Sequence, residues 1–294
     1  MNRNQSLLMA CVLGLGLSAE SMAGVITADG NLEDWGLFTN GSTTWTPSGN
    51  QSGKSYSYNG WTIYYAIDDY ISGGNGFLDP GYGGQAYDAE ALYVTWDAAN
   101  LYIALVTGHD PNTPNNPSGN TYSAGDFALN FWSGSDDHTY EFGIRTPNQF
   151  NNSGNPANIG TFTTDVYRTT DLSNWKQSNL WNSQLEPYQR VTSLNTTGLT
   201  PLQTKATMSI QEGPSSIGQG SGPHWVYEVS VSKTIFNDFL KPDTELNISW
   251  TMNCANDIIT VEDDIPTIDE PPVWALLGLT LPAVFWRRRR SAKR

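Results

Sequence analysis

The carboxylates of this chain that lie on both sides of one glycine-rich turn are the residues best placed for chemistry. Asp79 begins that stretch, a Pro-Gly-Tyr-Gly-Gly turn follows it, and Asp88 and Glu90 end it. Calcium takes about six to eight oxygen ligands from carboxylates and carbonyls on a loop that can fold around it. Asp88 and Glu90 would share one face of a strand. We therefore expect a structural calcium site at Asp79, Asp88 and Glu90; chance clustering in so acidic a chain is the alternative.

Aromatic side chains supply a second kind of candidate site, because sugar binding uses exposed rings beside hydrogen-bonding groups. Trp61 begins an aromatic-rich segment, Trp-Thr-Ile-Tyr-Tyr. Trp175 and Trp181 lie in a polar stretch with few apolar neighbours, so we predict that both are exposed. Burial in the core is the alternative for each, since large aromatic side chains are usually buried.

Catalytic motifs are absent from the sequence. The histidines His109, His138 and His224 lie far apart, without the His-Glu-x-x-His pattern of zinc proteases, and no Gly-x-Ser-x-Gly occurs. Cys254 has no histidine near it in the sequence, which favours a small buried hydrophobe over a nucleophile. We therefore predict that the protein is not an enzyme.

The elements that must position these side chains are mostly strands. Residues 90–96 alternate, with Leu92, Val94 and Trp96 on one face, and residues 101–107 are apolar on both faces. The other predicted elements are strands at 126–131, 140–144, 225–231 and 246–252 and a helical turn or two at 232–240. Short strands joined by loops rich in glycine, proline and asparagine predict an all-β fold, an antiparallel β-sandwich of jelly-roll-like form.

The first 23 residues have the three parts of a secretory signal peptide. Arg3 gives positive charge, residues 7–17 form an apolar run, and the small residues Ser21 and Ala23 precede Gly24. We therefore expect cleavage between Ala23 and Gly24, followed by one β domain at residues 24–261.

The C-terminal end has an acidic, proline-containing linker at residues 262–272 and then an uncharged segment at 273–286. As a helix, these fourteen residues reach about 21 Å, which is short for a permanent span of a hydrocarbon core about 30 Å thick. Four basic residues follow and would hold this end in the cytoplasm: Arg287, Arg288, Arg289 and Arg290. We expect only transient contact with the membrane.

This order of parts resembles the PEP-CTERM sorting signal, which exosortases process in bacteria that make exopolysaccharide. The box usually reads Pro-Glu-Pro, and here it reads Asp269-Glu270-Pro271. The segment Ile265-Pro266-Thr267 is also similar to the related IPTL-type tail, so the subclass of signal stays open. The resemblance implies an exosortase-type processing enzyme as a partner and a location at the cell surface or in the extracellular matrix.

Charge and cysteine content narrow the range of partners. Residues 24–270 contain 28 acidic and 8 basic residues, a net charge near −20. Nucleic acid is excluded as a partner because phosphate binding needs a basic surface. The charge is compatible with calcium, with neutral glycans or simply with solubility. Cys254 is the one cysteine left after signal removal, so no intramolecular disulfide can form.

Two stretches resemble the family-nine-like carbohydrate-binding modules. Residues 26–35 contain Asp29-Gly30 followed by Leu32 and Asp34-Trp35. Residues 92–104 contain a strand that ends in Trp96-Asp97 and turns into Asn-Leu-Tyr. We expect Trp35 and Trp96 to be core residues, because large aromatics dominate core burial. The resemblance implies a β-sandwich and sugar binding.

These features together predict a non-catalytic surface or matrix protein that binds exopolysaccharide. A structural or adhesive protein that acts through protein contacts is the alternative. A polysaccharide-degrading enzyme is a third hypothesis, and it is disfavoured because no catalytic motif stands out.

Overall fold

The computed structural model describes residues 24–37, 49–69, 82–134, 138–147, 159–180, 185–213, 222–241 and 244–261. Within these ranges the chain is mostly β, with antiparallel strands and no helix of seven residues or more. This confirms the predicted all-β class. The predicted signal peptide, the linker and the sorting segment, including Ala23 and residues 269–271 and 287–290, lie outside the described residues.

Fourteen strands occur in the described part of the chain. In chain order they are β1 (Gly49–Tyr58), β2 (Trp61–Asp69), β3 (Ala89–Trp96), β4 (Asn100–Thr107), β5 (Phe127–Trp132), β6 (Phe142–Ile144), β7 (Gly160–Thr164), β8 (Val166–Arg168), β9 (Trp175–Gln177), β10 (Val191–Leu194), β11 (Ala206–Gly213), β12 (His224–Ser232), β13 (Glu245–Thr251) and β14 (Ile258–Val261). A seven-stranded sheet has the order β1-β2-β3-β4-β12-β11-β7, and a five-stranded sheet has the order β14-β13-β5-β6-β8. Strands β10 and β9 form a small third sheet.

The two larger sheets share one hydrophobic core. Leu92 and Tyr227 of the seven-stranded sheet and Phe127, Phe142 and Trp250 of the five-stranded sheet belong to it, each at most 1% exposed. Strand β4 lies in the middle of its sheet and is apolar on both faces, as predicted. The helical turn predicted after β12 is a 3-10 turn at Lys233–Phe236, capped by Ser232.

One predicted strand is shorter than the sequence indicated. Tyr140 does not join β6, because its backbone has a φ of 52°, which interrupts the alternation of a strand. Its amide donates to Asn130 Oδ1 at 3.2 Å. The Tyr140 ring packs against Trp175 instead of against the core residues Phe142 and Ile144.

The N-terminal segment, residues 24–37, covers the outer face of the seven-stranded sheet. Its 3-10 turn, Leu32–Trp35, buries Leu32 and Trp35 completely. The Trp35 Nε1 donates to Glu228 Oε1 at 2.5 Å, and the amides of Asp29 and Gly30 donate to Glu228 Oε2. The prediction that Trp35 is a core residue is therefore confirmed, and Glu228 of β12 is the polar group that orders this segment.

Gly125, just before β5, lies close to the backbones of Thr251 and Thr192. A Cβ atom at Gly125 would lie 2.2 Å from the Thr251 carbonyl oxygen and 2.4 Å from the Thr192 carbonyl oxygen, and neither backbone can move without disturbing its sheet. We expect Gly125→Ala to lower the free energy of unfolding by about 3 kcal/mol, the upper range for overpacking. Urea unfolding measures it. Gly222→Ala is the control, because its Cβ would meet only Gln85 Cγ at 3.6 Å. Equal midpoints for the two variants would contradict this packing.

Candidate functional site

An open cleft of about 620 Å³ lies at one end of the seven-stranded sheet. We call it the aromatic cleft. Its lining includes residues 24–26, Trp61, Thr62, Tyr64, Trp96, Asp97 and Tyr102. These residues come from the N-terminal segment, from the start of β2, and from the turn between β3 and β4, so the cleft is built where three chain segments meet.

Two tight turns bring the cleft residues to the same end of the sheet. Asn59 and Gly60 have φ values of 47° and 87°, which is the geometry of a two-residue type I′ hairpin turn between β1 and β2. The turn between β3 and β4 is held by Asp97, whose Oδ1 accepts the amides of Ala99 and Asn100, each at 2.6 Å. Because β2 begins where β3 ends, Trp61 and Trp96 lie at the same end of the sheet.

The exposed aromatic surface of the cleft is formed by Tyr64 and Trp96. Both rings are half-buried, and they stack nearly parallel, with centroids 5.4 Å apart and an interplanar angle of 7°. Both side chains also pack against the shared core. The prediction that Trp96 is a core residue holds in part, because Trp96 packs against the core but is only half-buried at the last position of β3, where the sheet ends.

Trp61 lines the same cleft but is only 7% exposed. Its ring meets Tyr102 edge-on, with centroids 5.6 Å apart, and its Nε1 donates to the Gly24 carbonyl oxygen at 2.7 Å. Trp61 thus supports the wall of the cleft more than it offers a free ring face.

Polar groups lie beside the rings. The Tyr102 hydroxyl donates to Asp97 Oδ2 at 3.0 Å and accepts from Asn100 Nδ2 at 3.3 Å. Burial raises the pKa of Tyr102, so this phenol remains a donor at neutral pH. Thr62 is exposed at the cleft. Rings beside hydroxyl and carboxylate groups can stack on a sugar and bond its hydroxyls.

The two tryptophans predicted to be exposed have different outcomes. Trp175 is 4% exposed, so that prediction is wrong. Its ring packs against Tyr140 and lies in a cluster with Tyr167 and Leu194, because the β9–β10 pair folds over the five-stranded sheet and covers it. Trp181 lies outside the described residues.

Asp88 and Glu90 lie at the other end of β3 and are both fully buried. Glu90 Oε1 pairs with His224 Nε2 at 2.9 Å and accepts from Gln85 Nε2. Asp88 contacts Asp257 instead. A β-bulge between Ala89 and Ala91 interrupts the alternation. The two carboxyl groups therefore have separate partners.

Asp257 lies beside Asp88. Its Oδ2 accepts the Ala89 amide at 2.6 Å, while Asp68 and Asp88 lie close enough to repel its charge. Burial and this repulsion raise the pKa of Asp257 well above its usual range. A hydrogen bond between Asp88 and Asp257 needs a proton on one of them.

The residues predicted to bind calcium are not assembled into a metal site in the described ranges. Asp79 lies outside them, and within them no group of three or more histidine, cysteine or acidic side chains converges in a way that could hold a metal ion. A proton shared by Asp88 and Asp257 would remove one of the two negative charges at their contact.

The histidines and Cys254 have separate surroundings. His109 is fully buried, and burial lowers its pKa to about 4. His138 stacks on Tyr188, and His224 pairs with Glu90. Cys254 is 3% exposed, and burial raises the pKa of its thiol to about 12. The predicted burial of Cys254 is confirmed.

No protein-family model, curated protein or solved structure matches this chain. Among the residues with described positions, no helix has the length and apolar character needed to cross a membrane. The resemblances to the sorting signal and to the carbohydrate-binding modules therefore rest on the residues of the chain itself.

Proposed function

We propose that this chain is an exported bacterial surface or extracellular-matrix protein whose β domain binds exopolysaccharide without cleaving it. The observation that carries the proposal is the aromatic cleft, in which the half-buried rings of Tyr64 and Trp96 lie beside Thr62, Asp97 and Tyr102. Its volume is within the range of about 300–1,000 Å³ that is usual for ligand sites.

Charge favours a neutral glycan over an anionic one. Residues 24–270 carry a net charge near −20, which repels polyanions over distances of several ångströms. Within the cleft, Asp97 is the acidic side chain, and its oxygens already accept bonds from Ala99, Asn100 and Tyr102. A neutral sugar meets the rings and hydroxyls there without bringing a second negative charge.

The architecture and the terminal signals belong to the same proposal. Two antiparallel sheets around one core support a β-sandwich of jelly-roll-like form, an architecture that lectin domains use. The resemblance to family-nine-like carbohydrate-binding modules agrees with this, since its signature residues Asp29, Gly30 and Trp35 order the N-terminal segment on Glu228. The resemblance of the C-terminal end to the PEP-CTERM sorting signal supports an exosortase-type enzyme as the processing partner.

Retention on immobilised exopolysaccharide from the producing bacterium tests the proposal. We expect the mature chain to be retained, to elute with free polysaccharide, and to release no reducing ends. Parallel columns with calcium and with EDTA show whether the predicted calcium contributes. Absence of retention under both conditions would refute glycan binding. A pull-down dominated by surface proteins would then favour adhesion through protein contacts, and release of reducing ends would indicate an enzyme.

A further inference from the structure

Gly24, the first residue after the predicted cleavage position, forms part of the wall of the aromatic cleft. Its amide nitrogen donates to the Asn59 carbonyl oxygen at 3.0 Å, and its own carbonyl accepts from Trp61 Nε1 at 2.7 Å. Ile26, two residues on, is 3% exposed, whereas Val25 is 79% exposed. Gly24 is therefore fixed from both sides, by the β1–β2 turn and by a tryptophan of the cleft.

Cleavage changes the chemistry of this one atom. In the precursor the Gly24 nitrogen is a peptide nitrogen with a single hydrogen, and Asn59 accepts it. After hydrolysis of the bond between Ala23 and Gly24, the same nitrogen is an α-amino group, which ordinarily titrates near pH 8 and so carries three hydrogens and a positive charge at neutral pH. One hydrogen bonds Asn59, which leaves two donors for the cleft.

We propose that removal of the signal peptide completes the glycan site, because the α-ammonium group of Gly24 becomes a charged hydrogen-bond donor in the wall of the aromatic cleft. The inference rests on the proposed function. A hydroxyl or ring oxygen of a sugar stacked beside Trp96 accepts a bond from this group. The precursor lacks the charged donor, so full affinity appears only after export and processing.

The charged and titratable groups around the ammonium are few in the described lining of the cleft. Asp97 faces the cleft from the β3–β4 turn, where Lys233 Nζ donates to its backbone carbonyl at 3.0 Å. Tyr64 and Tyr102 contribute phenols. Burial raises the pKa of Glu228, which bonds the amides of Asp29 and Gly30 in the same N-terminal segment, to about 8. A transition near pH 8 therefore reports the α-amino group only if the acetylated form lacks it.

Two forms of the mature chain test the inference: one that begins with a free Gly24 and one whose Gly24 is enzymatically acetylated. In NMR spectra, the Trp61 indole proton should shift with a midpoint near pH 8 in the free form and show no such transition in the acetylated form. At pH 7, the acetylated form should bind the producing bacterium's exopolysaccharide about tenfold more weakly than the free form. This is the loss of affinity expected for one charge-assisted hydrogen bond. At pH 9.5 the free form should lose part of this factor, because the neutral amino group has no charge but keeps one hydrogen for the cleft, whereas the retention of the acetylated form should not change.

The outcomes separate this inference from the proposed function. Equal retention of both forms at both pH values, or a Trp61 signal that does not respond near pH 8, would overturn the role of the ammonium and leave glycan binding intact. A Trp61 transition without retention of either form would locate the ammonium in the cleft but overturn glycan binding and, with it, the ammonium's role in it.

Discussion

Replacing Trp96 by alanine should weaken binding to exopolysaccharide about 30-fold. Truncation of a tryptophan at the centre of a binding site typically costs about 2 kcal/mol or more, which corresponds to that factor. The substitution removes half of the stacked Tyr64–Trp96 pair, the exposed ring surface of the cleft. The concentration of free polysaccharide that elutes half of the bound protein measures the effect.

Two further variants show whether the loss comes from the cleft. Trp96→Phe retains a ring and should keep most of the affinity. Tyr82→Ala removes an exposed aromatic side chain, 49% accessible, near the opposite end of the sheet and should bind like the unaltered protein. Thermal unfolding of each variant verifies that the domain is folded. Equal affinities of Trp96→Ala and Tyr82→Ala would contradict a glycan site in the aromatic cleft.

The domain should become more stable as the pH falls from 8 to 6.5, by about 2 kcal/mol. Burial raises the pKa of Glu228 from 4.5 to about 8, and burial with repulsion from Asp68 and Asp88 raises that of Asp257 well above its usual range. Between the unfolded and folded pKa values, the folded state holds protons that the unfolded state has lost. Stability therefore falls as the pH rises through this window. Urea unfolding at the two pH values measures the difference.

The buried histidine acts in the opposite direction at lower pH. Burial lowers the pKa of His109 to about 4, so below its ordinary value of 6.5 the unfolded state binds a proton that the folded state excludes. Stability from this group is lost as the pH falls from 6.5 towards 4. The window from pH 8 to 6.5 therefore isolates the acidic groups.

Asp257→Asn tests the contribution of one of these two acidic groups. The amide keeps an oxygen for the Ala89 N–H, cannot ionise, and can donate to Asp88. At pH 8 this variant should be about 1–2 kcal/mol more stable than the unaltered protein, with a weaker pH dependence. A less stable variant, together with a loss of stability of the unaltered protein in EDTA, would show that a cation such as calcium neutralises this cluster in place of a proton.

Local pattern was sufficient for some of the strands. Alternation at residues 90–96 and 126–131 and the two-sided apolar run at 101–107 each correspond to an observed strand, because burial on one or both faces of a sheet fixes the hydrophobic period. Tyr140 departed from its pattern because a left-handed backbone, which the pattern of apolar residues does not encode, ended the alternation there.

Only part of the aromatic cleft could be predicted from the sequence. Asn59-Gly60 between two alternating runs is a strong hairpin signal, and it would have placed Trp61 and Tyr64 near the end of the sheet. Tyr64 stacks on Trp96 rather than on a core residue because of where β3 ends relative to β2. Trp175 shows the reverse case, since its polar sequence neighbours gave no sign of the β9–β10 pair that covers it.

The sequence by itself determined the all-β class and six of the fourteen described strands, because alternation depends on residues adjacent along the chain. The burial of Trp35 and Cys254 followed from their residue types, which are usually buried. Only the tertiary structure decided which distant groups meet. Glu228 with the N-terminal segment, and Asp257 with Asp88 and Asp68, are separated by more than 150 residues. Their pairing is set by the order and register of strands, which the periodicity of any one strand leaves undetermined.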